Sequence, residues 1–265
     1  HVEKNPDQPF FLYHPTNSVH LPSFASRKYQ GATDAGPHGD FIHEFDQVVG
    51  GIMDTLERLG IAENTLLMVS SDNGPEVASV YHMRNDHDHD GARPWRGVKR
   101  DNWEGGHRIP FIARWPGVIQ PGSTTDQTAC LCDIMATCAS IVDYNLPHDS
   151  AEDSFSLLPV LKGSQPENEP IRKYTLHQTN ALKLSIREGN WKYLDHQGSG
   201  GNNYMRDEHL RTFILPEAEP DSSGQLYNLL EDPGETNNLY SKYPERVSEL
   251  KQQLDTFCEL GRSRD

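Results

Sequence analysis

No run of apolar residues in this 265-residue chain approaches the roughly 20 that a bilayer-spanning helix needs, so the sequence offers no membrane segment. Positive charge is also short. Against 39 Asp and Glu stand 24 Lys and Arg, a formal net charge of −15. Polyanions are not attracted to such a surface, which argues against a nucleic-acid or anionic-membrane partner. Cysteine is scarce: Cys130, Cys132, Cys138 and Cys258. The first three share one helix-like stretch and no pair of CxxC spacings occurs, so the usual zinc pattern is missing and the redox compartment stays open. The chain opens at His1 without a methionine, and a strand-like run, Phe10-Phe11-Leu12-Tyr13, comes almost at once. No signal-peptide pattern is legible, an absence that truncation would also produce.

What is present suits globular folding. The composition is 35% hydrophobic and 9% aromatic, and the length allows one large or two modest domains, each with its own core. Asp40 is placed to cap a helix whose apolar positions Phe41, Phe45, Val48, Val49, Ile52, Leu56 and Leu59 recur at three and four, with Gly60 as the stop. Thr65 to Ser70 then reads as a strand buried on both faces, which with the earlier run makes a βαβ unit. A further strand is expected over Ile109 to Trp115, and a second amphipathic helix over Leu131 to Val142.

The expected fold is therefore α/β, a mostly parallel sheet flanked by helices. From Gly163 to Pro170 the text turns polar and proline-rich, as a linker does. This divides the chain into 1–165 and 166–265. Short β-like runs come next (Tyr174 to His177, Leu182 to Arg187, Trp191 to Leu194, Gln225 to Leu229), and a polar-faced helix from about Pro244 to Leu260 closes the chain. The second part is expected to be a small antiparallel sheet with a helix.

The sharpest chemical feature is Ser70-Ser71-Asp72-Asn73-Gly74-Pro75, directly after the buried run. In open α/β sheets ligands collect at the carboxyl ends of strands. Asp72 and Asn73 there offer two hard oxygens for Ca²⁺ or Mg²⁺. The same residues also make a good strand-ending turn. One window runs against the global charge: between His82 and Arg108 six Lys/Arg face five acids, with four histidines interspersed. Alternating acid and imidazole from Asp86 to Asp90 reads as solvated surface rather than a metal site of its own. Glu104-Gly105-Gly106 reads as backbone shaping. Trp95, Arg96, Arg100 and Trp103 suit a sugar face beside anionic groups.

Several segments recur in one order: PFFLY to HLP (Pro9 to Pro22), GDF to VGGIMDTLERLG (Gly39 to Gly60), ENTLLMVSSDNGP, then G-x-K-x-x-x-W-E-G-G-x-R-x-P-F from Gly97, WPG, DSFSLLPVLKG (Asp153 to Gly163), WKYL (Trp191 to Leu194) and LYNLLEDPGETNNL (Leu226 to Leu239). In this arrangement the chain resembles the type I sulfatases of the alkaline phosphatase superfamily, over nearly its whole length. The resemblance implies that Asp72 and Asn73 are the second pair of calcium ligands. It implies that Lys99 binds a sulfate oxygen and that His20 sits near the ester oxygen, able to bind sulfate or to protonate the departing alcohol. His89, Arg93 and Arg96 fall where such enzymes face substrate.

The family's nucleophile is a formylglycine made from Cys or Ser in C/S-x-P/A-x-R followed by Thr-Gly, and its first two metal ligands are an early Asp-Asp pair. Neither is found here in its context. Ser23-Phe24-Ala25-Ser26-Arg27 matches the short motif literally but comes after HLP and lacks the Thr-Gly, and Cys258 to Arg262 has only the spacing. The resemblance thus implies that these elements lie upstream of His1. It also implies that a chain without them is inactive alone and leaves sheet edges and apolar surface exposed, inviting association.

The expected parent activity is sulfate-ester hydrolysis on a sulfated carbohydrate or aryl sulfate, in the periplasm or outside the cell. The alternatives are a phosphoric or phosphonic monoester hydrolase of the same superfamily, and a sulfated-glycan-binding module without catalysis.

Overall fold

The computed structural model describes residues 1–264. Helix α1 (Gly36–Arg58) starts four residues before Asp40, with Pro37 in its first turn. Asp40 therefore does not cap the helix from outside. Its buried carboxylate accepts from the Gly31 amide at 2.7 Å and the Thr33 amide at 2.9 Å, pinning the incoming loop, and these bonds hold its carboxyl below the usual range. Gly60 comes just after the helix with φ +69° and donates to Glu57 O, the left-handed exit that glycine allows.

Strand β1 (Leu67–Ser70) and helix α2 (Val77–His87) come next, then β2 (Phe111–Arg114). The two strands pair antiparallel, Leu67 opposite Arg114 and Ser70 opposite Phe111. Two expectations fail here. Phe10 to Tyr13 forms no strand and all four side chains are exposed. Without that partner no βαβ unit forms, no parallel pair exists among the described residues, and β1 is half-buried throughout rather than buried on both faces. An extended segment becomes a strand only when a neighbour accepts its backbone hydrogen bonds. Helix α2 has no legible sequence signal. Its N-cap Glu76 accepts from the Val77 amide at 2.9 Å, and Val77, Val80 and Met83 are buried.

Helices α3 (Asp133–Ile141) and α4 (Leu158–Leu161) precede the second sheet, β3 (Tyr174–Gln178), β4 (Leu184–Glu188), β5 (Trp191–Leu194) and β6 (Gln225–Asn228), an antiparallel meander in that order. The β4–β5 turn is Gly189-Asn190, with Gly189 at φ +56°, the left-handed conformation that two-residue hairpins need. Helix α5 (Pro244–Leu260) covers one face. Ile186, Tyr193, Leu226, Val247, Leu250 and Leu254 close the core beneath it. No helix among the described residues is long and apolar enough to cross a membrane.

Candidate active site

The turn after β1 is built by short-range bonds. Ser71 Oγ donates to Asn73 O at 3.0 Å, and Asn73 Nδ2 donates to Gly74 O at 2.8 Å, which leaves the Asn73 amide oxygen available. Asp72 is exposed, with no side-chain hydrogen bond or ion pair among the described residues. Two backbone bonds then tie this turn to the 97–106 loop: Gly74 N donates to Gly106 O and Lys99 N donates to Pro75 O, each at 2.9 Å. The approach is close enough to demand glycine. A Cβ on Gly74 would lie 1.9 Å from Gly105 O, and one on Gly105 2.3 Å from Gly97 O. The backbone-shaping reading of Glu104-Gly105-Gly106 thus has a physical basis. Asp72, Asn73 and Lys99 sit on directly connected segments.

Lys99 extends its ammonium to within 3.9 Å of Glu76 Oε2, while Arg100 grips Glu76 Oε1 at 2.8 and 2.9 Å. Glu76 has its charge met mainly by Arg100, so the half-buried Lys99 ammonium is left with one long contact. The turn carrying Lys99 is fixed from below by Asp101. This buried carboxylate accepts from Val98 N at 3.0 Å, Asn202 Nδ2 at 2.7 Å and Tyr204 OH at 2.6 Å. Burial raises its pKa even against those donors.

Deeper, Glu104 meets a cluster of cations from the second sheet. Lys192 Nζ lies 2.9 Å from Glu104 Oε1 and 3.0 Å from Glu235 Oε1, and Arg108 and Arg187 stand 3.0 and 3.3 Å from Glu104 Oε2. Glu235 Oε2 accepts from the Glu104 amide at 2.6 Å, across 131 residues. Burial alone would raise the Glu104 carboxyl, but Lys192, His107 and Arg187 carry it well below the usual range. Glu235, with less positive charge to itself, is pushed by burial up to about 7. His107 and His177 stack at 3.6 Å, and burial first lowers both, joined for His107 by its stacked neighbour and for His177 by the Lys192 charge, with His177 brought to about 3.

The remaining candidates are dispersed. His20 is exposed, its Nδ1 2.7 Å from Leu21 O, and none of its polar contacts reaches Asp72, Asn73 or Lys99. His89 is exposed in the loop after α2. Arg93, 81% exposed, pairs with Asp90 at 3.1 Å. Arg96 is committed within the fold: it lies 3.6 Å over the Trp103 ring and donates to Glu235 O at 2.9 Å. Trp103 itself is buried, so it offers no face to a sugar, and Trp95 carries Arg108 at 3.9 Å. Ser23 Oγ is bonded with His38 Nδ1 at 2.8 Å.

Sequence reasoning missed Lys192 and Glu235 as members of the site. Their signal was there, in WKYL and DPGETNNL, but spacing gave no hint of what they touch. No three His, Cys, Asp or Glu side chains converge as a metal shell among the described residues. Asp72 and Asn73 supply two hard oxygens at a strand end that have no partner among the described residues, a chemistry that fits part of a Ca²⁺ or Mg²⁺ shell.

The family model described as Sulfatase matches residues 2–144. The chain is 33% identical over 258 residues to the N-acetylgalactosamine-6-O-sulfatase of Bacteroides thetaiotaomicron, covering 96% of this chain and 48% of that protein. It is 32% identical over 272 residues to human arylsulfatase A, covering 97% and 51%. A solved structure from work on the metabolism of multiple glycosaminoglycans by Bacteroides thetaiotaomicron superposes with a TM-score of 0.82 at 33% identity, over 96% of this chain and 51% of that one. The chain spans about half the length of the curated relatives it matches. By the matched model, by identity and by three-dimensional likeness, it belongs to the sulfatase family.

Proposed function

We propose that the protein carrying this chain hydrolyses a sulfate ester of a carbohydrate, and that this chain supplies part of the metal shell and the sulfate-binding cation. The observation that supports it is the pair of backbone bonds joining the Ser71–Gly74 turn to the Lys99 loop, in a chain that shares 33% identity with a carbohydrate sulfatase. In this reading Asp72 and Asn73 hold Ca²⁺, or Mg²⁺, through oxygen. That ion, when bound, would polarise the sulfate group. Lys99 places its ammonium against a sulfuryl oxygen as charge grows there. Lys99 can do so because Arg100 already neutralises Glu76.

His20 serves as the acid for the departing alcohol, on a segment that must be brought to Lys99. His89 and Arg93 meet the substrate from the loop after α2, and Arg96 holds that loop through Trp103. The formylglycine nucleophile, the first metal-ligand pair and the parallel strands of the sheet come, in this reading, from the half of the relatives' length not spanned here. Residues 1–165 form part of the catalytic domain and 166–265 its C-terminal subdomain. A periplasmic or secreted location goes with it.

The test is steady-state turnover by the complete polypeptide on matched sulfate and phosphate esters of one sugar. Sulfate should be preferred, and Lys99→Ala should lower kcat/KM by ~10²–10³. Preferential phosphate turnover, or full activity in Lys99→Ala, would overturn the proposal.

A further inference from the structure

Outside the candidate site, two of the four cysteines share one turn. Asp133 N donates to Cys130 O at 3.0 Å and Asp133 Oδ2 accepts from Cys130 N at 2.7 Å, which closes Cys130-Leu131-Cys132-Asp133 on itself just before α3. In a closed turn, residues two apart have Cα atoms about 5–6 Å apart, inside the span a disulfide tolerates. Both sulfurs also converge on one cation. Arg172, only 4% exposed, places Nη1 3.2 Å from Cys130 Sγ and Nη2 3.7 Å from Cys132 Sγ. The guanidinium is fixed there by Asp133 Oδ1 at 2.9 Å, Asp153 O at 2.6 Å and Tyr174 O at 3.2 Å.

The two thiols differ in access. Cys132 is exposed and Cys130 half-buried, and both are free thiols. A cation beside a sulfur favours thiolate, the reactive form. Arg172 lowers both thiols and lies nearer Cys130, so it is the contact between the two sulfurs that parts them: it brings the Cys132 thiol below its ordinary value, while contact with Cys132 and burial push Cys130 up. The Asp133 carboxylate, 3.9 Å from Cys132 Sγ, opposes this but is itself paired with Arg172. Cys138 and Cys258 have no such cation among their contacts with the described residues.

We propose that Cys130 and Cys132 form an oxidisable dithiol in which a hydroperoxide attacks at the exposed Cys132 and Cys130 resolves the product to a disulfide. The Cys132 thiolate sulfur attacks one peroxide oxygen, the O–O bond breaks, and the leaving oxygen takes up a proton as water or alcohol. Cys132 then carries a sulfenic acid. The Cys130 sulfur displaces its hydroxyl, the S–O bond breaks, and water departs with the Cys130 proton. The sulfur pair loses two electrons and the peroxide gains them. Because Arg172 also holds the start of β3 through Tyr174 O, the change falls where α3 meets the second sheet. The proposal is independent of sulfate-ester turnover.

The test is stoichiometric hydrogen peroxide on the complete polypeptide, reduced and natively folded, read by intact mass and by peptide mapping. A loss of about 2 Da confined to the peptide holding Cys130 and Cys132, reversed by dithiothreitol, is expected. Cys130→Ser should stop at a sulfenic acid on Cys132 that a 1,3-dione traps. Cys132→Ser should cut peroxide consumption at this turn by at least ~10-fold. Overturning results are equal oxidation of Cys138 and Cys258, absence of the internal disulfide, or unchanged reactivity in Cys132→Ser. Both serine variants preserve volume and the Asp133 turn, and matching thermal unfolding to the parent confirms that loss of reactivity is not loss of fold.

Discussion

The two sheets of this chain solve the same problem unequally. In β3–β6, Ile186, Leu194 and Leu226 have no exposed surface, and α5 seals the face. In β1–β2, Phe111 is 37% and Ile112 64% exposed, and no strand residue is fully buried. The second sheet closes its own core. The first leaves apolar surface that the chain does not cover, yet it carries the turn with Asp72 and Asn73. The loop that bonds to that turn through Gly106 O and Lys99 N is itself anchored by buried charges met across the molecule: Glu104 within the loop, Lys192 from β5 and Glu235 from the loop between β6 and α5.

The largest expected effect comes from cutting that connection. Lys192→Met keeps volume but leaves Glu235 without its cation and Glu104 short of one, and should cost ~3–5 kcal/mol in urea unfolding. A loss below about 1 kcal/mol would mean that the two parts are held otherwise. Contrast between the sheets is tested next by a pair of deletions. Leu250→Ala, in the closed core, should cost about 3 kcal/mol, and Ile112→Ala under about 0.5. Equal losses would erase the distinction.

Gly105→Ala, which sets a methyl against Gly97 O, should cost about 2 kcal/mol and depress sulfate-ester turnover by the complete polypeptide, as the Lys99 loop separates from Gly74. Retained stability and turnover would show that the loops have room to move.

Titration sharpens the comparison further. His177 is depressed to about 3, so its contribution is present above its ordinary value near 6.5 and is lost as pH falls toward 3. Glu235 is raised to about 7, so its contribution is full below its ordinary value near 4.5 and is lost as pH rises through about 7. Between pH 4.5 and 6.5 the two oppose. His107, also lowered, acts in the same sense as His177, so relative to the parent Glu235→Gln should make stability rise more steeply with pH there and His177→Asn less steeply, each by up to about 1.4 kcal/mol per pH unit. Parallel pH profiles for parent and variants would remove the cluster from the account. Arg93→Ala, at an exposed pair, should change stability by less than about 0.5 kcal/mol, while raising KM for a sulfated oligosaccharide if Arg93 faces substrate.

Much of this was legible in the sequence where the signal is local. The three-and-four period of α1 with its Gly60 stop, the helix over Pro244 to Leu260 and the short runs that become β3 to β6 are each specified by residues within a few positions. The SDNG turn and Glu104-Gly105-Gly106 were also recognised. The errors have one cause. Among the described residues Phe10 to Tyr13 has strand composition without a paired strand, and the apolar run at Thr65 reads as doubly covered although β2 is the one strand that pairs with it. Trp103 read as a sugar platform, but the fold buries it under Arg96.

By itself the sequence determined the family, through ordered motifs, and the short elements whose turn residues and periodicity act over one or two turns of chain. Tertiary structure alone decided that Lys192 would reach Glu104 across 88 residues and Glu235 the Glu104 amide across 131, and that Gly74 would press against Gly105. Such convergence depends on the path of the whole chain and on the exclusion of water around paired charges, and no spacing within a motif encodes either.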